Sequence, residues 1–198
     1  MKKHLINAIL MTVVTTVLLG ILYPLLMTGL ARVFFPKQAE GELIYSQDGK
    51  LAGSRLIGQP FTGPGFFHSR PSAAGTAGYD ATASSASNLG PTNGQLIARV
   101  QGDVARLKAA NPGTPVPVDL VTTSASGLDP DITPAGAEFQ VARVAKERNV
   151  PMSEIEKVVA AHTSNRQFGF LGEARVNVLE LNLELEKRFP VDHAATQP

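Results

Sequence analysis

The chain has 198 residues, with 18 basic side chains, 17 acidic ones and a net charge of +1. That balance lacks the basic excess with which proteins hold nucleic acid, so no nucleic-acid partner is expected. There is no cysteine, which removes disulfides and thiolate chemistry from the account.

From Leu5 to Ala31 no side chain carries a formal charge, and Leu, Ile, Val, Met, Ala and Thr dominate. About 20 such residues span a hydrocarbon core ~30 Å thick. A cleaved signal peptide is the competing reading of this segment. Its apolar stretch would run to about 7–15 residues and end in a small-x-small site. Leu30-Ala31-Arg32-Val33-Phe34-Phe35 offers no such site, so an uncleaved anchor is expected. Lys2 and Lys3 face Arg32 and Lys37 across the span, a near tie in charge. The short N-terminal tail favours an inside N-terminus. The expected organisation is a cytoplasmic tail over 1–4, a transmembrane helix over 5–31 and one extracytoplasmic domain over 32–198. The fold class is α+β, with one N-terminal transmembrane helix and a single mixed α/β domain. Roughly 160 residues are enough for one hydrophobic core.

Within the anchor, Ala8, Thr12, Thr16, Gly20, Pro24 and Thr28 fall at intervals of four. Small residues at that spacing form a ridge on which another helix can pack closely. Pro24 removes one backbone bond and is expected to bend the outer third. Asn7 and Thr15 are candidates for interhelical hydrogen bonds.

The domain begins with a predicted hairpin, Glu42–Tyr45 and Leu51–Ile57, turning at Asp48-Gly49. From Gly58 to Pro91 the chain is rich in Gly, Pro, Ser and Ala and has no sustained period. A stretch this long is expected to be functional or well packed, pinned by Phe61, Phe66, Phe67, Tyr79 and Leu89. Thr92 and Gln95 match a capping box ahead of a helix with Leu96, Ile97, Val100, Val104 and Leu107 near one face. Asn111-Pro112-Gly113 stops that helix. Pro117–Thr123 has strand composition. Thr133 and Pro134 open a helix ended by Asn149 and Pro151, and Ser153 with Glu156 caps the next, toward His162. Val176–Phe189 partly alternates like a strand, but its Leu/Glu content favours helix. The tail from Val191 is expected to fray.

No Gly-x-Ser-x-Gly, Ser-x-x-Lys, His-Glu-x-x-His or Walker A pattern occurs. Ser84, Ser85 or Ser87 with His162 and Asp129 has no supporting spacing. Asp129, Asp131, His162 and Glu173 are conceivable metal ligands, but Asp129-Pro130-Asp131 is more economically a turn and cap. The catalytic and metal assignments are therefore none. What stands out are polar loops bracketed by Gly and Pro. They hold Arg70, Pro71 and Ser72; Tyr79 and Asp80; Ser87, Asn88, Gly90, Pro91, Thr92 and Asn93; Asp129 and Pro130; and Gly169, Gly172 and Glu173. Two readings stand side by side: a rigid loop-built core, and a preorganised surface that docks a protein partner.

These blocks, in this order behind one span, resemble the KdpC family, the C subunits of bacterial potassium-transporting P-type ATPases. The resemblance runs through Tyr23-Pro24, Gly53-Ser54, Leu56–Phe61, Arg70–Ala73, Tyr79-Asp80, Ser87–Asn93 and Pro117–Thr122. It continues through Ser126–Pro130, Gln140, Arg143–Ala145, Phe168–Glu173, Arg175–Leu179 and Leu181-Asn182. Ser84-Ser85-Ala86-Ser87 stands where the family usually has two glycines, and Asp131 where it often has histidine. The resemblance implies a non-catalytic accessory subunit in a bacterial inner membrane. Its implied partners are a KdpA-like potassium-translocating subunit, a KdpB-like P-type ATPase subunit and a small KdpF-like single-span peptide. It implies no cofactor of the chain's own, ATP and K+ being handled by the complex. The family is described as stabilising the complex and as raising the pump subunit's affinity for ATP. An external domain cannot touch cytosolic ATP, so that effect is expected to be indirect. The alternatives are a membrane-tethered periplasmic enzyme and a ligand-binding module.

Overall fold

A computed structural model describes residues 1–46 and 48–191. The expected fraying beyond Val191 lies outside the described residues. The chain forms two compact units, Met1–Ile44 and Tyr45–Pro198.

The first unit contains one long helix, Lys2–Phe34, long and apolar enough to cross a membrane, with none of its side chains buried within the chain itself. It runs as α1 (Lys2–Thr15), a π-helical stretch (Thr16–Leu22) and α2 (Tyr23–Phe34). The hydroxyl of Thr12 donates to the Ala8 carbonyl at 2.9 Å, and that of Thr15 to the Met11 carbonyl at 2.8 Å. The Thr15 proton is thus used inside its own helix, and only oxygen lone pairs remain for a neighbour. The π-helical stretch ends two residues before Pro24, whose ring crowds the carbonyl one turn back and which has no N–H to give. A stripe at intervals of four drifts ~40° per step on a 3.6-residue helix. The wider π turn takes back part of that drift, so Thr16, Gly20 and Pro24 stay closer to one line. A short α3 (Pro36–Ala39) follows.

β1 (Leu43–Tyr45) and β2 (Leu51–Ser54) form a two-stranded sheet. Its turn is closed by the Ser46 N–H donating to the Lys50 carbonyl at 2.8 Å. β2 ends at Ser54 rather than Ile57, because the Ser54 hydroxyl accepts from the Leu56 N–H and turns the chain. Residues 58–91 then carry no regular element but a 3-10 turn at Ala81–Ala83. α4 (Gly94–Ala110) starts one residue later than the capping box implies. Asn93 is its cap, accepting from the Gln95 N–H at 2.8 Å, because the shorter Asx side chain bonds two residues on. Asn111 ends α4 as expected.

Pro117–Thr123 is not a strand. Val118–Leu120 forms a 3-10 turn with Asp119 and Leu120 buried. The turn lets the Asp119 carboxylate accept from the Thr133 N–H at 2.7 Å while Leu120 and Val121 face inward. An extended segment would send neighbouring side chains to opposite faces. α5 (Pro134–Arg148) is capped by the Thr133 hydroxyl, which accepts from the Gly136 N–H, and ends at left-handed Asn149. α6 (Met152–Ala161) begins directly after Pro151, so Ser153 falls inside the first turn and the expected cap does not form. His162 closes α6, its Nδ1 3.0 Å from the Val158 carbonyl.

The last segment divides. Val176 and Asn177 belong to β5 (Arg175–Asn177), and the helical reading holds for α7 (Val178–Arg188). Asn177 caps α7, accepting from the Glu180 N–H at 3.1 Å. β5 is the centre of an antiparallel sheet with β3 (Asp131–Ile132) and β4 (Thr163–Ser164), with Ile132 opposite Val176 and Ser164 opposite Arg175. Around it α5 buries Ala137, Val141 and Val144, α6 buries Ile155 and Val158, and α7 buries Val178, Leu181 and Leu185. Those spacings of three and four are the helical stripe facing a core. Phe67 from the long loop completes the core.

Candidate functional site

Residues 58–91 are held in place by helix side chains that act as a surrogate strand. Buried Asn182 of α7 accepts from the Phe67 N–H at 2.8 Å and donates to the Phe67 carbonyl at 2.9 Å. Gln140 of α5 does the same for His68, at 2.8 and 3.1 Å. Primary amides suit this role because they offer donor and acceptor in one plane. Arg148, its side chain wholly buried, donates to the Gly65 carbonyl at 2.7 Å and pairs with Glu186 at 2.6 Å. Its guanidinium lies 5.3 Å from the Phe66 ring centroid. A polar residue on the inward face of a predicted core helix is the signal that marks such pins in a sequence. Of the three, sequence reasoning reached Gln140 and Asn182 only as blocks of the family resemblance, and missed Arg148.

The polar loop residues converge beyond these pins. Arg70 donates to the Asp129 carboxylate at 2.9 Å and to the Thr122 hydroxyl and Thr123 carbonyl at 3.4 Å. Ser72 donates to the Gly127 carbonyl at 2.6 Å and accepts from the Ala74 and Tyr79 N–H groups. The Tyr79 phenol donates to the Arg70 carbonyl, and burial raises its pKa above the usual range. Asp129 also accepts from the Asp131 N–H, the expected turn. The Asp80 carboxylate caps the 3-10 turn, and the Thr82 hydroxyl and N–H hold its pKa below the usual value. Gly127 has a φ of +68°, and a Cβ there would lie 2.6 Å from the Ser85 carbonyl oxygen. Gly58 is as tight, with a Cβ falling 2.4 Å from the Asp129 carbonyl oxygen.

Arg70, Asp129 and Glu173 line one cleft of about 220 Å³ with Asp131 and Arg175. Asp131 pairs with Arg175 at 3.0 Å, and burial raises its pKa against the opposing pull of Asn177 and Arg175. Pro130 contributes its carbonyl to the Val178 N–H. Pro71 lines a second cavity of about 650 Å³, with His68, Leu107, Leu120, Phe139 and Arg143. Ser87, Asn88, Gly90, Pro91 and Thr92 instead form the approach to α4, where Asn88 is left-handed and the Gly90 carbonyl accepts from the Asn93 N–H. Gly169 and Gly172, both at positive φ, belong to a third place, a tight loop closed by reciprocal 2.9 Å bonds between Gln167 and Leu171. Among the described residues, no group of three His, Cys, Asp or Glu side chains is placed to hold a metal. Asp129 is engaged by Arg70 and His162 by its own helix.

This geometry is that of a frame of polar loops cross-linked by internal bonds, with an apolar loop projecting from it. Residues 5–187 match the family described as KdpC: K+-transporting ATPase, c chain. The chain belongs to the KdpC family. It is 62% identical over 191 residues to the potassium-transporting ATPase KdpC subunit of Koribacter versatilis, covering 96% of this chain and 98% of that protein. It is 55% identical over 185 residues to the KdpC subunit of Acidobacterium capsulatum, covering 93% and 98%. The KdpC subunit of Caulobacter vibrioides is 54% identical over 190 residues, with 96% of each chain covered. Membership makes the chain a subunit of a potassium-transporting ATPase and implies partner subunits. The match spans the apolar helix and most of the domain.

Proposed function

We propose that the chain is a single-span, non-catalytic accessory subunit of a high-affinity, ATP-driven potassium uptake complex. It stabilises the assembly of a KdpA-like ion-translocating subunit and a KdpB-like ATP-hydrolysing subunit, together with a small KdpF-like peptide. It carries no cofactor of its own. Its support of ATP binding acts through assembly, since its domain lies outside the inner membrane and its N-terminus inside. The observation that carries this reading is the family match over residues 5–187. The long apolar helix supports the membrane placement.

The test is a pull-down of the tagged full chain from native membranes in mild detergent, with mass spectrometry of what comes with it. Recovery of a P-type ATPase and a channel-like potassium subunit in fixed ratio is expected. A chain that emerges alone overturns the reading. Gly20→Leu examines the helix ridge. A Cβ at Gly20 meets only the Thr16 methyl, at 3.8 Å, so the leucine fits its own helix and obstructs a neighbour. Partner recovery is expected to fall about tenfold, and unchanged recovery removes the ridge from the account.

A further inference from the structure

The loop from Arg166 to Glu173 turns large apolar side chains out of the domain. Phe168 is 86% exposed, Phe170 71% and Leu171 47%. The loop is not slack. Gln167 and Leu171 exchange two backbone hydrogen bonds, and the Gly169 and Phe170 N–H groups are bonded to the Arg166 and Gln167 carbonyls. Arg166 reaches both Glu173 oxygens, at 3.0 and 2.8 Å, across the base. Phe168 itself sits at a φ of +52°. A bulky side chain rarely adopts that region, and such strain persists where the surroundings enforce it, commonly at binding sites. The loop therefore holds a strained backbone in order to present an aromatic ring to water.

Charge and area narrow the occupant. Gln167 to Gly172 carries no charge, and Arg166 is already neutralised by Glu173, so nothing draws the tip toward anionic headgroups. The exposed apolar surface of the three side chains is about 400 Å², taking ~200 Å² for a whole aromatic side chain. That equals the largest patch of an ordinary monomer, which is often functional. Two tips meeting would bury about 800 Å² in all, below what a stable interface needs, so tip-to-tip pairing does not hold two copies together. A rigid neutral plug of two phenylalanines fits a concave apolar pocket, as one buried anchor within a larger contact.

We propose that the tip formed by Phe168, Phe170 and Leu171 seats in an apolar pocket on another protein subunit of the same potassium-transporting assembly. The inference rests on the assembly reading above and names the anchor of the domain's contact. The full chain with Phe168→Asn and Phe170→Ser tests it in the same pull-down. Asn tolerates the left-handed backbone, so the loop keeps its shape and loses its rings. Recovery of partner subunits per tagged chain is expected to fall about tenfold or more, with the chain's own level and melting temperature unchanged. Unchanged recovery overturns the proposal. A fall in the chain's own level or melting temperature also overturns it, since the rings would then serve the fold. If wild-type chain brings no partner, the assembly reading fails first and this inference falls with it. The lipid alternative has its own arm. The chain has no tryptophan, so Phe168→Trp reports alone in vesicles of phosphatidylcholine with brominated acyl chains. Solvent-like, unquenched emission is expected, and quenching would place the tip in lipid and overturn the proposal.

Discussion

Residues 58–91 and residues 166–173 are built from similar material, glycines and phenylalanines without helical or strand period, yet they meet water in opposite ways. In the longer segment Phe67 is fully buried and its backbone is paired with Asn182. In the shorter one Phe168 and Phe170 stand in solvent while backbone bonds hold the loop from within. The difference lies in what surrounds each loop. Helices α5 and α7 offer inward-facing amides and a guanidinium to the long segment. The described residues offer the short one only its own base pair, Arg166 with Glu173. A loop becomes core when side chains elsewhere can replace the water on its backbone, and becomes a presented surface when it satisfies its backbone alone.

The strongest way to break the contrast is Arg148→Ala. Removing a buried guanidinium takes one donor from Glu186 and from the Gly65, Leu185 and Phe189 carbonyls. A loss of about 3–5 kcal/mol is expected in urea unfolding. Arg148→Lys should recover less than half of it, because one ammonium cannot reach the acceptors that the fork spans. Gly127→Val comes next, at about 2–4 kcal/mol by the same measurement. It places a branched side chain at positive φ, against the Ser85 carbonyl and the Ala74 backbone. A loss no larger than that of an ordinary surface substitution would show that the crossing of these loops is looser than the structure has it.

The smallest effect concerns pH. Burial, followed by the nearby Arg143, lowers the His68 pKa from its usual 6.5. The unfolded chain then binds a proton that the folded chain resists, and stability falls as pH drops below 6.5 until the folded pKa is passed. His68→Gln should flatten that part of the stability–pH curve. Asp131 works in the opposite sense in its own window. Its raised pKa means that stability falls as pH climbs from 3.8 through the folded value.

The elements legible in the sequence are those with local causes. Thr133-Pro134 starts α5, Asn149 ends it, and the apolar stripe of α7 declares itself, because caps and helical faces are set within a few residues. Where local composition competed with a distant partner, the distant partner won. Val118–Leu120 turns because Asp119 has to reach the N-terminus of α5. Val176 and Asn177 join a sheet because Ile132 and Thr163 lie on either side of them. The candidate loops were visible as Gly/Pro-bracketed blocks, but not their grouping. Arg70 and Asp129, far apart in the chain, form a pair only in the fold.

By itself the sequence determined the apolar span, the α+β class and the family, each of which depends on composition or on the linear order of short blocks. The tertiary structure decided which of the similar loops closes and which stays open. That choice depends on whether donors and acceptors from remote helices arrive at a loop's backbone, as Asn182 arrives at Phe67 and nothing described arrives at Phe168. No local pattern encodes such an arrival, because it is set by how α5 and α7 pack around the central sheet.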